Sequence, residues 1–274
     1  MIATKSFRNV FFVAVLIIAG NSCQKTETAP SVLKPVAFTV VNVIPNSEYI
    51  TPVINTNSGI EYFSDAVTLW YPGNGYVSYN EYSPPGGKDT VYVVEQSDTL
   101  DIGPKAAGLM FYSVMDLNPG DIYSLFLTGA DTSSPDYLFT TDSIPYHNSA
   151  DSTVGIRFVN LSTGSAPISI NLEGSSNGSE VVNLPYKAIT GFKNYLCNST
   201  MTNNTYVFVI RDVATGDSLT SYSLSGVGSG NGIGLGDPNN SNAPLVFKNV
   251  TIAIYGSENP ASNNPLNATL IDDY

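Results

Sequence analysis

Apolar side chains in this chain recur at every second position. Val154, Ile156 and Phe158 share one parity against Thr153, Gly155 and Arg157, and Val250, Ile252 and Ile254 stand against Thr251, Ala253 and Tyr255. Tyr123, Leu125 and Leu127 alternate with Ser124, Phe126 and Thr128, and Tyr206, Phe208 and Ile210 with Val207, Val209 and Arg211. A period of two built from β-branched and aromatic residues specifies strands, because successive strand side chains point to opposite faces. No useful length of the chain carries apolar residues at helical spacing. Turn-forming clusters separate the runs: Pro72-Gly73-Asn74-Gly75, Pro84-Pro85-Gly86-Gly87, Asn118-Pro119-Gly120 and Ser175-Ser176-Asn177-Gly178. Many short strands at such intervals predict an all-β sandwich or barrel.

The pattern also repeats. Val36 to Pro45 (VAFTVVNVIP) is echoed by Val154 to Thr163 (VGIRFVNLST), and Val91 to Leu100 (VYVVEQSDTL) by Val207 to Leu219 (VFVIRDVATGDSL). Asp121 to Gly129 (DIYSLFLTG) is echoed by Asn249 to Gly256 (NVTIAIYG), and Tyr137 to Asp142 (YLFTTD) by Ala268 to Asp273 (ATLIDD). Four pairs in one order argue for duplication of a domain. The expected repeats are residues 36–145 and 153–274, joined by the polar, proline-marked stretch Pro145 to Ser152 (PYHNSADS).

The strand with Phe158-Val159-Asn160, the tyrosine-led strand closing on Gly129 or Gly256, and the terminal strand resemble the bacterial domain-of-unknown-function family 4397. The resemblance covers nearly all of the chain after its leader. It implies two tandem immunoglobulin-like β-sandwich domains in a secreted protein or lipoprotein of Bacteroidota-type bacteria. It brings no catalytic residues.

The leader is a separate signal. Lys5 and Arg8 precede Val10 to Gly20 (VFFVAVLIIAG), an apolar run shorter than the roughly 20 residues that span a bilayer. A basic start, a short apolar run and then Ala19-Gly20-Asn21-Ser22-Cys23 resemble a bacterial lipoprotein signal. Residues 1–22 are then the signal peptide, Cys23 takes the lipid, and residues 23–35 are a polar tether. Gly20 departs from that pattern, which favours a large aliphatic residue three places before the cysteine. With Cys23 lipidated, Cys197 is left single and reads as a small buried hydrophobe.

The formal charge of -12 becomes -14 once Lys5 and Arg8 leave with the signal, since 9 basic residues then face 23 acidic ones. So acidic a chain lacks the basic footprint that nucleic-acid binding needs, and acidic headgroups repel it. Its membrane partner is reached through lipid alone.

Chemistry-bearing clusters are sparse. His147 is the single histidine and falls in the expected linker, so neither a zinc site nor a Ser-His-Asp arrangement is favoured. No metal ligands and no cofactor are assigned. Calcium has two weak candidates, Asp237 to Asn242 and Asp212 to Asp217, and both also read as turns. Gly226 to Gly236 (GVGSGNGIGLG) fits no nucleotide-binding frame and reads as a loop leading into a strand at Val246. Paired carboxylates could serve glycan hydrolysis, with Glu61 and Asp65 or Asp272 and Asp273 as possible members, against solvated surface acids.

Two candidate sites remain. Tyr62 to Tyr82 is rich in aromatic residues, and Trp70, Tyr71, Tyr76 and Tyr79 are either a stacking surface for sugar or protein, or strand core. Asp-Ser/Thr triplets at Thr90, Thr99, Ser143, Ser152 and Ser218 resemble an O-glycosylation sequon of exported proteins, or simply begin strands. The sequence therefore predicts an outer-membrane lipoprotein, periplasmic or surface-facing, acting as a non-catalytic binding or adhesion module for a glycan or protein. A carboxylate-dependent glycan hydrolase and a structural envelope component are the alternatives.

Overall fold

The computed structural model describes residues 35–47, 49–54, 68–72, 79–95, 108–148, 150–197, 205–225, 227, 245–259 and 262–273. Lys34–Tyr274 is one compact unit. The lipidation candidate Cys23, the binding candidate Tyr76, the modification candidate Thr99, the acids Glu61 and Asp65, and Asp237 to Asn242 lie outside the described residues.

The alternating runs become strands throughout. β1 (Ala37–Asn42), β2 (Ile50–Ile54), β3 (Tyr79–Tyr82), β4 (Gly87–Glu95), β5 (Leu109–Leu117), β6 (Ile122–Gly129) and β7 (Pro135–Asp142) belong to the first half. β8 (Thr153–Asn160), β9 (Ile168–Leu172), β10 (Val181–Leu184), β11 (Lys193–Leu196), β12 (Thr205–Asp212), β13 (Ser218–Ser225), β14 (Asn249–Tyr255) and β15 (Asn267–Asp272) belong to the second. Sheets β3-β1-β6-β7 and β2-β4-β5 enclose one core, and sheets β11-β8-β14-β15 and β10-β9-β12-β13 enclose another. The molecule is thus an all-β sandwich protein. β1 pairs in parallel with β6, and β8 with β14, so each of these four-stranded sheets is mixed.

Equivalent residues perform equivalent work in the two halves. Asn42 Oδ1 accepts from Ile44 N at 3.0 Å, and its Nδ2 donates to Ser47 Oγ at 2.9 Å. Asn160 repeats both contacts, to Ser162 N at 3.0 Å and Ser165 Oγ at 3.5 Å. The Val-Asn echo is therefore a turn in which a side-chain amide replaces lost ladder bonds. Gly129 and Gly256 close the equivalent strands β6 and β14 at φ of 137° and 92°. A Cβ at either would stand 2.4 Å from a carbonyl oxygen, of Ser134 or Pro265, so both positions require glycine.

Alternation places Phe38, Val40, Leu125 and Leu127 in the first core and Ile156, Phe158, Ile252 and Ile254 in the second. The opposite parity is not left to solvent. Val41, Val43 and Phe126 pack against Val159, Leu161, Ala253, Tyr255 and Ile271 in a third buried cluster. Sheet β3-β1-β6-β7 lies against sheet β11-β8-β14-β15, giving four layers. Burial on both faces explains why β1, β6, β8 and β14 carry few polar residues.

The segment between the halves is pinned. His147, 6 % exposed, joins Thr153 Oγ1 at 3.1 Å and Asn249 Oδ1 at 3.0 Å. Asn249 Nδ2 in turn donates to Pro145 O at 3.0 Å. One expected boundary moves: the strand assigned to Val246 begins at Asn249. Phe247 has a φ of 65°, and Lys248 N donates to Leu245 O at 3.0 Å, so a turn occupies those positions.

Candidate functional site

The outer face of the second sandwich is built by the parity its core rejects. On β12, Phe208 and Ile210 point inward, which turns Val207, Val209 and Arg211 outward. Neighbouring strands add Asn171 and Glu173 on one side and Ser218 and Ser221 on the other. Together they line a shallow, open concavity of about 500 Å³. It adjoins a second hollow of about 430 Å³ that shares Glu173, Ser175 and Val207 and adds Thr205 and Tyr206.

Arg211 is the organising charge of this groove. Its Nε donates to Asn171 Oδ1 at 2.9 Å and its Nη1 to Gly216 O at 3.0 Å. Two fixed bonds orient the guanidinium plane while Nη2 keeps donors without a protein partner among the described residues. The valines give the floor an apolar strip between polar rows. Such a surface can take up a hydroxyl-rich chain, whose ring faces are apolar and whose rim hydrogen-bonds. The sequence marked Ser218 only as a modification candidate and missed the groove. The outward parity of Val207, Val209 and Arg211 was readable, but the partners across β9 and β13 depend on strand order.

The aromatic candidates divide. Tyr71 meets Tyr255 edge-on at 5.4 Å between ring centroids, and both belong to the cluster between the halves. Tyr79 lies in the same cluster, with its hydroxyl accepting from Asp272 N at 3.4 Å. Burial pushes the Tyr79 phenol up to about 12, and the Tyr71 phenol up as well, so both rings stay neutral and packed. Both side chains are half-buried against the cluster between the sandwiches. Trp70 is half-buried, its ring tilted by 59° against that of Tyr49 with centroids 4.1 Å apart, and Tyr49 is 37 % exposed. Of the modification candidates, Ser143 and Ser218 are exposed, and Thr90 and Ser152 are half-buried.

Acids do come together, though not in a cleft. Asp142 and Asp273, the last residues of the repeated YLFTTD and ATLIDD segments, converge on Arg157 from the two halves of the chain. Arg157 Nη1 donates to Asp142 at 2.7 Å, Nη2 to Asp273 at 2.9 Å and Nε to Thr251 Oγ1 at 2.7 Å. Phe192 covers the guanidinium at 4.7 Å. Ser124 Oγ donates to Asp142 Oδ2 at 2.6 Å, and its repeat equivalent Thr251 donates to Asp273 Oδ2. The side chains of all three charged residues are at most 4 % exposed, so this group is a buried clasp.

Burial, with Asp142 adding repulsion against the pull of Arg157 and Thr251, raises the Asp273 carboxyl to about 6. A carboxyl whose folded value exceeds its ordinary one binds a proton more readily folded than unfolded. Its stabilisation is therefore complete below the ordinary range near 4 and is lost as pH rises through about 6. The expected loss between pH 4 and pH 7.5 is up to about 3 kcal/mol. Urea unfolding of wild type and Asp273→Asn across that range checks this: the difference between the two should carry the slope, and parallel curves would refute it.

Elsewhere the titratable groups serve structure. Asp212 Oδ1 closes its own turn by accepting from Thr215 N at 2.7 Å, as a turn former would. Among the described residues no three His, Cys, Asp or Glu gather into a metal-holding group. Cys197 is 2 % exposed, and burial raises its thiol to about 11. No described helix is long and apolar enough to cross a membrane.

No protein-family model matches the chain, and no curated protein matches its sequence. Among solved structures, a candidate adhesin from Bacteroides ovatus aligns over 86 % of this chain and 95 % of its own, at 11 % identity and a TM-score of 0.25. The tip fimbrial protein Mfa3 from Porphyromonas gingivalis, truncated at its C-terminus, aligns over 87 % and 100 %, at 10 % identity and a TM-score of 0.23. Likeness at this level carries neither fold nor function to the present chain.

Proposed function

We propose that this protein is a cell-envelope lipoprotein, held by lipid on Cys23, that binds a glycan chain without turning it over. The observation that supports this reading is the groove along β9, β12 and β13, where Arg211, Asn171, Glu173 and Ser221 edge a valine floor. The groove is open and its lining mostly polar, unlike the enclosed apolar pockets that take drug-sized ligands. Loops and sheet faces of a tethered sandwich stand away from the membrane, where a polymer is accessible. Hydrolysis would call for two carboxyls flanking a bond, yet among the described residues Asp142 and Asp273 are brought together enclosed around Arg157.

The test is binding to a glycan array by the wild type, Arg211→Ala and Ser221→Trp. Either substitution should weaken retention of the bound glycans at least tenfold, by removing the oriented donors or by filling the floor. Ser221→Trp should stay within about 0.5 kcal/mol of wild-type stability, as for other surface changes, and Arg211→Ala should cost about 1 kcal/mol by unpairing the buried Asn171 oxygen. Equal retention by all three would place the ligand elsewhere, and absence of wild-type binding would refute glycan capture. Parallel loss in Trp70→Ala would locate the contact at the Tyr49–Trp70 pair instead.

A further inference from the structure

The duplication supplies an internal control for the sheet edges. β5 and β13 are topological equivalents: among the described residues each is the last strand of its outer sheet, and each pairs with the preceding strand on one side only. An edge strand exposes a row of unpaired backbone donors and acceptors, and proteins blunt such edges with charge, proline or brevity. β13 (SLTSYSLS) is serine- and threonine-rich and presents Ser221 and Ser223 outward. β5 (LMFYSVMDL) runs nine residues with no lysine, arginine or proline. On its outer parity Tyr112 is 49 % and Val114 59 % exposed, and Tyr112 is braced by Tyr92 at 5.3 Å.

The bulge opposite Val93 and Val94 falls at Met110, so the regular stretch is Phe111 to Leu117. Val114 is its centre, and the stretch is self-complementary about that centre when paired antiparallel. Val114 then meets Val114 of a second copy, Tyr112 meets Asp116, Ser113 meets Met115, and Phe111 meets Leu117. The apolar residues match, a phenol faces each carboxylate, and the two Asp116 charges stand at opposite ends of the ladder. No other charge lies in the stretch.

We infer that β5 is a self-association edge, through which two copies of this chain join their β2-β4-β5 sheets into one six-stranded sheet about a two-fold axis at Val114. The contact is isologous and closed, so it yields dimers and not filaments. It pairs the two grooves, and a polymer that reaches both is held with the gain of bivalency. Because both partners are acidic, added salt tightens the pairing by screening.

Cysteine cross-linking of the full-length, detergent-solubilised lipoprotein tests this. Residues directly opposed in an antiparallel pair have Cα atoms about 4.5–5.5 Å apart, within disulfide reach. Val114→Cys should therefore form a disulfide-linked dimer under mild oxidation. Ser223→Cys on the equivalent edge β13 should not, which controls for crowding in a shared micelle. Tyr112→Cys alone should stay monomeric, and the double variant with Asp116→Cys should cross-link. Val114→Lys should weaken association at least tenfold in sedimentation, with thermal unfolding that matches wild type diluted to monomer. A wild type that sediments as a monomer, or Val114→Cys that cross-links no faster than Ser223→Cys, overturns the inference.

Discussion

Arg157→Met is expected to destabilise the protein by about 3–5 kcal/mol at pH 7.5. The loss is not the worth of two ion pairs. It is the cost of leaving Asp142 and Asp273 ionised, side by side and out of water, with side chains 2 % and 4 % exposed. Three guanidinium nitrogens bond Asp142, Asp273 and Thr251 at once. A lysine is a point charge and cannot span them, so Arg157→Lys should fall between wild type and the methionine variant. The penalty should shrink as pH falls through about 6, where Asp273 takes up its proton. Adding Asp142→Asn to Arg157→Met should recover part of it at pH 7.5. Urea unfolding of the four proteins at pH 7.5 and 4.5 checks these orderings. A penalty under about 1 kcal/mol would mean that water reaches the clasp.

Phe126→Ala should cost about 3–5 kcal/mol, as for other buried aromatic truncations. Phe126 is 1 % exposed, yet it lies outside both sandwich cores. Its ring fills the space beside Val41, Val159 and Ala253 between the inner sheets. The repeat equivalent of Phe126 is Ala253, so a large side chain on one half fits a small one on the other. Neither sheet can collapse into the vacated space, because each is fixed by its own core. Calorimetry should show a lower Tm together with loss of the single cooperative transition, as the halves begin to unfold separately. Ala253→Phe alone should overpack the same layer, while the exchange Phe126→Ala with Ala253→Phe should regain part of the loss. Retention of wild-type Tm in Phe126→Ala would show that the seam contributes little.

Much of the fold was legible because strand side chains alternate and turns have chemical signatures. Phe38, Val40, Ile156 and Phe158 could be assigned to a common parity, and that parity is the one that fills the cores. The echo of Val41-Asn42 in Val159-Asn160 pointed to a shared local structure, which proves to be the same amide-closed turn. The candidate site was less legible. The groove needs β9, β12 and β13 side by side, and β9 joins β12 across more than thirty residues of intervening chain. Tyr71 and Tyr79 belong to a stretch whose composition suits a binding surface and a packed seam equally, and composition cannot choose between them.

The sequence alone determined that this protein is built of strands, that its pattern occurs twice, and that Cys23 stands where a lipid anchor is expected. Those properties are local, since they follow from side-chain periodicity, turn residues and a short leader. Tertiary structure alone decided what lies on the second face of β1, β6, β8 and β14. Val41 and Phe126 look in isolation like the outward parity of a strand, and they are buried by the other half of the chain. Asp142, Arg157 and Asp273 likewise read as three unrelated charges. They become one clasp because duplicated strand ends meet face to face, and two carboxylates brought that close out of water require a shared cation.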